Sequence, residues 1–176
     1  MVSYPIGFRM AQAIGFTGAA WLSGNIAALS MNAVPALVSS RQEDNAPPKL
    51  IVKQWRNVYE AGKAQNRPIA AITASAFFYL AWSVRSGAPL FRQAAYSQAG
   101  LYSAAAILTL GIVPYTIVAM SNTNNALLNM AKPKIELSDR NQAESVTLLD
   151  KWVNLNLFRS LLPLAGGLIG IAAAFM

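Results

Sequence analysis

Arg159 is the residue of this chain with the strongest claim to chemistry. Leu155, Leu157, Phe158, Leu161 and Leu162 bracket it, and no Asp or Glu stands three or four residues away on either side. A guanidinium in such surroundings either snorkels its head toward lipid headgroups or aims into the protein to bind an anionic or polarised oxygen. Trp152, Asn156, Arg159 and Pro163 fall at i, i+4, i+7 and i+11, which gathers them on one helix face. A second stripe follows Pro114-Tyr115, with Thr116, Met120, Thr123 and Asn124 at i, i+4, i+7 and i+8. Two more carboxamides, Asn25 and Asn32, stand seven apart in an apolar stretch. Lipid offers them no partner, so they either bond to a neighbouring helix or line a cavity.

What the chain lacks narrows the chemistry further. It contains no histidine and no cysteine, which removes zinc and haem sites on those ligands, cysteine-ligated iron–sulfur clusters, thiol nucleophiles, Ser-His-Asp triads and disulfides. Its seven carboxylates all lie outside the core spans, so a buried metal has no ligands to draw on. No GxGxxG fingerprint opens a helix, and a dinucleotide site of that kind is absent. The net charge of +7 invites a nucleic-acid reading, yet seven acids are mixed among fourteen bases and no basic run of five or more occurs. No nucleic-acid partner is expected.

The elements that must carry these residues follow from composition. The chain of 176 residues is 55% apolar and only 12% charged, where soluble proteins carry about 25% charged residues. Residues 10–40, 68–84, 93–131 and 160–176 are free of Asp, Glu, Lys and Arg. Each can contain a bilayer crossing, which needs about 17–25 helical residues. The sequence therefore predicts an all-α, integral membrane four-helix bundle, a single membrane domain over residues 1–176, with spans at about 9–39, 68–84, 96–120 and 153–176. The apolar stretch near the N-terminus is too long for a signal peptide and carries Gln12, Asn25 and Asn32, so it reads as a retained first span. Eleven of the fourteen bases fall in residues 41–67 and 132–159. The positive-inside rule puts the connections 40–67 and 121–152 in the cytoplasm and both termini on the opposite side.

Several local signals refine this plan. Pro47-Pro48 starts a helix that places Ile51, Trp55, Val58, Tyr59 and Gly62 on one side, with Lys49, Lys53, Arg56 and Lys63 supplying a charged side. This additional amphipathic helix either lies in the cytoplasmic interface or caps the bundle as a lid. Phe77, Phe78, Tyr79 and Trp82 form an interfacial aromatic belt or the wall of a site for a flat ligand. Pro114 bends the third span around Leu110–Pro114 by freeing a carbonyl. The pairs Ala11 with Gly15, Ala20 with Gly24, and Gly166 with Gly170 are small-residue faces for close helix approach, within the bundle or in a homo-oligomer. Gln12, Ser23 and Ser30 make a polar row on the first span.

The combination Trp55-Arg56, Tyr59 and Gly62, then Pro114-Tyr115-Thr116, Met120, Thr123-Asn124 and Leu127, then Trp152, Leu155-Asn156, Arg159, Pro163 and Gly167 resembles the small four-span membrane family that contains the fungal anthrone oxygenases. The resemblance runs from about Trp21 to Gly167. It implies oxidation of an anthrone methylene to the carbonyl of an anthraquinone, with molecular oxygen and without a cofactor, in a fungal endoplasmic reticulum or other endomembrane. A cofactor-free oxygenation needs a protein that binds a flat aromatic, promotes loss of a C–H proton and stabilises the oxyanion. On that reading Arg159 holds the enolate or phenolate, Asn156 and Asn124 donate to the same oxygens, and Tyr115 or Thr116 orients the reacting edge. The ring of the aromatic polyketide packs against Trp55, Tyr59 and Trp152, with Met120, Thr123, Asn25 and Asn32 completing the site. The base is not evident, since Asp150 lies about 180° round the helix from Arg159 and Glu60 turns to water. The substrate's own phenolate or a water then serves. A non-oxidative cyclase or isomerase, and a membrane carrier or scaffold, are the competing classes.

Overall fold

The computed structural model describes residues 4–91, 97–132 and 139–176, with side chains in the last stretch from Gln142 onward. Every regular element among them is helical, as the apolar composition requires: a backbone in hydrocarbon must satisfy its own polar groups. In chain order these are α1 (Ile6–Ala28), a π-helical turn (Leu29–Ala33), α2 (Val34–Asp44), α3 (Pro48–Ser83), α4 (Gln98–Leu110), α5 (Ile112–Tyr115), a second π-helical turn (Thr116–Met120), α6 (Ser121–Met130) and α7 (Asp139–Ala174). Three stretches are long and apolar enough to cross a membrane: Ile6–Asp44, Gln98–Met130 and Gln142–Ala174. They overlap the expected first, third and last spans; Tyr96, the expected start of the third, lies outside the described residues. The expected second span, residues 68–84, is not among the three; it forms the C-terminal part of the 36-residue α3.

The connections are more helical than charge counting suggests. Between α2 and α3 the chain turns at Asn45, whose left-handed backbone (φ 53°) closes α2 with its N–H on Ser40 O, and Pro48 then opens α3. The amphipathic segment and residues 68–83 are one uninterrupted helix, with Pro68 inside it. The 121–152 connection is likewise largely α6 and the start of α7. Polar residues there still suit a helix whenever one face is covered, so a drop in hydropathy marks the end of an apolar run and not of the helix.

The predicted bend near Pro114 takes a specific form. Helix α4 stops at Gly111, whose N–H is shared between Ile107 O and Leu108 O, and the turn after Pro114-Tyr115 is π-helical. The first π-helical turn lies just before Pro35, and there Val34 N donates five residues back to Leu29 O. A proline cannot donate to the carbonyl four residues before it, and a widened turn absorbs the mismatch.

The chain divides into two compact units. The first comprises Met1–Gly24, Asn66–Val113 and Ser160–Met176. Its core draws on four helices, with Phe8 and Ala19 of α1, Ala74, Phe77 and Leu80 of α3, Tyr102 and Ala105 of α4, and Ala173 of α7. Glycines let these helices meet closely. A Cβ at Gly166 would stand 2.8 Å from Ala105 O, one at Gly170 2.5 Å from the Phe77 ring, and one at Gly18 would run into Thr73. The Gly166/Gly170 face is thus filled from within the chain and gives no support to an oligomer. Gly24 has nothing within 4 Å, so on α1 the close approach is made by Gly15 and Gly18 instead.

Polar groups of this unit pair across helices: Gln12 Nε2 donates to Tyr102 OH at 3.1 Å and Gln98 Nε2 to Ala173 O at 3.1 Å. Of the four crowded aromatics only Phe77 is buried. Phe78, Tyr79 and Trp82 face outward, and the Arg85 guanidinium lies 3.6 Å from the Trp82 ring centre, an anchor suited to a headgroup layer.

Gly166→Ala should therefore lower stability by about 1–3 kcal/mol, because its new methyl meets backbone that cannot rotate away. Gly24→Ala should leave stability unchanged or slightly raised, as alanine favours a helix where space is free. Thermal unfolding in detergent compares the two.

Candidate active site

The second unit comprises Asn25–Gln65 and Pro114–Arg159, and it contains the sequence-predicted site residues. Its core packs Ile51, Val52 and Trp55 of α3 with Met120 and Leu127 and with Leu149 and Trp152 of α7, and Tyr59 and Tyr115 lie against it. The apolar face of the amphipathic segment is therefore covered by protein, while Leu50 and Lys53 remain at the surface. Lys49 sets the start of α3 against the end of α6, donating to Met130 O at 3.1 Å and to Lys132 O. An ammonium at a helix C-terminus satisfies orphan carbonyls and complements the helix dipole.

Three aromatic rings form the apolar wall of this cluster. Trp55 stacks on Tyr59 with ring centres 5.2 Å apart, and meets Trp152 edge to face at 5.8 Å. Both tryptophans are fully buried. The stripe read from the sequence holds despite the π-helical turn, since Met120, Thr123 and Asn124 are buried and Thr116 is half-buried.

The polar groups are arranged differently from their expected roles. Arg159 is half-buried: its Nη1 donates to Thr116 Oγ1 at 3.0 Å, and its Nε is buried without a partner. Thr116 is thus a hydrogen-bond partner of the guanidinium. Among the described residues no carboxylate forms a salt bridge with Arg159. Asp150 and Glu60 are exposed, in keeping with the helical-wheel reading.

Asn156, wholly buried, donates from Nδ2 to Ile26 O at 2.9 Å and to Ser30 Oγ at 2.8 Å. A backbone carbonyl can only accept, so the NH2 end must face Ile26, and both of its hydrogens are used. Both hydrogens of Asn156 are thus engaged within the chain, and Oδ1 is a buried acceptor without a partner. Asn124 accepts at Oδ1 from Trp152 Nε1 at 2.9 Å, which keeps its NH2 as the end able to donate elsewhere. The buried Trp55 Nε1 is a further donor without a partner.

The amide row on the first helix separates. Asn25 is half-buried, Asn32 is exposed and does not join the cluster, and the residue that does is Ser30. Its signal in the sequence was the polar row through Gln12 and Ser23, which supplies interhelical bonds at Gln12 and Ser30. No group of three or more carboxylates that could hold a metal comes together among the described residues.

Trp152→Phe should cost about 1–3 kcal/mol, the penalty for an amide oxygen left buried and unsatisfied. Adding Asn124→Leu should cost less than the sum of the two single changes, because removing both polar partners relieves that penalty. Unfolding of the single and double variants in detergent measures the coupling.

Comparison with known proteins assigns this chain to a family. The family described as Anthrone oxygenase matches residues 55–169, a range that begins at Trp55 and takes in the stripes on α6 and α7. The chain is 39% identical to the anthrone oxygenase encC of Aspergillus fumigatus, over 92% of this chain and 90% of the relative. It is 32% identical to the anthrone oxygenase AgnL2 of Paecilomyces divaricatus, over 91% of this chain and 92% of the relative. With the noranthrone monooxygenase of Aspergillus flavus the identity is 31%, over 86% of this chain and 67% of the relative. No solved structure matches the chain. With the family match covering most of its length and close relatives spanning nearly all of it, the chain belongs to the anthrone oxygenase family.

Proposed function

We propose that this protein is a monooxygenase that converts an anthrone-type aromatic polyketide to the anthraquinone with molecular oxygen and no cofactor. The names of its relatives support the reaction class. The observation that carries the site is Arg159: a guanidinium bonded to Thr116, with a buried Nε to spare, on the helix face that also carries Trp152.

The chemistry asks little of the protein. Loss of one methylene proton gives a carbanion whose charge moves to the ketone oxygen. That electron-rich species reduces oxygen, a C–O bond forms to give a hydroperoxide, and O–O cleavage with loss of the second hydrogen yields the ketone and one water. Arg159 stabilises the oxyanion, so its contribution is larger in the transition state than in the bound substrate. The NH2 group of Asn124 and the Trp55 indole N–H are further donors to the same edge, and Tyr115 orients it. The flat ring packs on the aromatic cluster, with Met120 and Thr123 beside it. The proton is taken by a substrate hydroxylate or a water, as no carboxylate among the described residues forms a salt bridge with Arg159.

The chain works as one membrane domain with four crossings, the fourth being residues 68–84. Ile72, Phe78, Tyr79 and Trp82 on that stretch face outward, which suits lipid. The basic connections 40–67 and 121–152 face the cytoplasm and both termini the other side of a fungal endomembrane, with an apolar substrate entering from the bilayer.

Detergent-purified protein, assayed for metal and flavin, should consume oxygen rapidly with an anthrone whose two hydroxyls flank the ketone, and form the quinone. Arg159→Ala should lose at least about 100-fold in kcat, as for removal of an oxyanion donor. An unaccelerated rate for the parent would overturn the oxygenase reading, and near-normal activity in Arg159→Ala would remove that residue from the mechanism. The cysteine-free background also permits clean topology mapping. Lys53→Cys and Ser86→Cys should react with an impermeant thiol reagent from opposite sides of sealed membranes, because residues 68–84 lie between them; labelling from one side would delete the fourth crossing.

A further inference from the structure

We infer that Asn156 is a specificity-determining residue that accepts a hydrogen bond from a neutral hydroxyl of the substrate. The inference rests on the oxygenase reading above and adds a role that the residue's type does not suggest.

The argument is one of hydrogen-bond capacity. A carboxamide offers two donors and one acceptor oxygen. Both Asn156 donors are committed, to Ile26 O and Ser30 Oγ, and the side chain is wholly buried. Two independent acceptors on the first helix lock the amide against rotation, so Oδ1 has a fixed direction and is left buried without a partner. An unsatisfied buried acceptor is destabilising, and a ligand that brings a donor recovers that loss. Asn156 lies three residues before Arg159 and four after Trp152, so the three share one face of α7. The other unpartnered buried atoms of the unit, Arg159 Nε and Trp55 Nε1, are donors.

A ligand matched to that set carries an oxygen that becomes negative and, on the same edge, an O–H that stays protonated. A hydroxyl flanking the ketone of an aromatic polyketide has that form. The amide oxygen cannot stabilise a phenolate, since two acceptors repel. The hydroxyl at Asn156 is thus held neutral and is not the base, while the charge released from carbon collects at Arg159.

The test compares kcat/KM for two substrates, an anthrone with hydroxyls flanking its ketone and the same compound with those hydroxyls methylated. The ratio between them is measured in the parent and in variants, so that intrinsic reactivity cancels. In the parent the hydroxylated compound should be favoured by at least about 100-fold, as for a site built to bond a substrate hydroxyl. Asn156→Leu should cut that preference by about 10-fold or more, mainly by raising KM for the hydroxylated compound, since the bond is made in ground and transition states alike. Ser30→Ala, which frees the amide to turn, should cut it several-fold, and carries the test if Asn156→Leu does not fold. A loss of activity equal for both substrates would mean a structural role only and overturn the inference while leaving the oxygenase reading intact. A parent that turns over neither compound would overturn both.

Discussion

The Asn156 amide is the interaction on which the arrangement of the site turns. An amide inside an apolar helical core has to place its hydrogens somewhere, and Asn156 gives both to the first helix, at Ile26 O and Ser30 Oγ. That bond pair fixes the rotation of the face of α7 that also carries Trp152 and Arg159, because residues at i−4 and i+3 move with it. Trp152 is then turned to donate to Asn124, and Arg159 to donate to Thr116. Four hydrogen bonds from one helix face, two of them from Asn156, hold a set of polar groups that lipid or an apolar core would otherwise leave unsatisfied.

The prolines and the polar groups belong to one design. Each π-helical turn lies beside a proline, Pro35 or Pro114, and each supplies a partner for α7: Ser30 from the first turn and Thr116 from the second. A widened turn loosens the ordinary ladder of backbone bonds and changes the direction of side chains that follow, which suits a place where one helix must receive hydrogen bonds from another. The rest of the second unit is made rigid by apolar contact, with two buried tryptophans at its centre, so the polar residues have little freedom to find other partners. In the first unit the same constraint is met by pairing glutamine with tyrosine and with a backbone carbonyl, and by glycines that let rings pack against helix backbones.

The site holds more hydrogen-bond donors than it uses internally. Arg159 and Trp55 each keep a buried N–H without a partner, and Asn156 keeps an oxygen. They belong to the unit whose core holds the two buried tryptophans.

Much was legible in the residues alone. Helicity followed from apolarity, because only helices satisfy a backbone in hydrocarbon among the architectures this composition allows. The faces followed from period: Trp152, Asn156 and Arg159 share one, and Thr116, Met120, Thr123 and Asn124 another, even across a π-helical turn. The exclusion of thiol, imidazole and disulfide chemistry was complete from the inventory. What the sequence could not determine was where each polar atom points and what it spends its hydrogens on. Asn156 and Ser30 are 126 positions apart, and nothing in local spacing says that they meet or which end of the amide is consumed. The same holds for Gly166 and Gly170, whose spacing fits a partner chain as well as it fits Ala105 and Phe77. Periodicity assigns a residue to a face; only the packing of distant segments decides what that face touches, and with it whether a carboxamide donates or accepts.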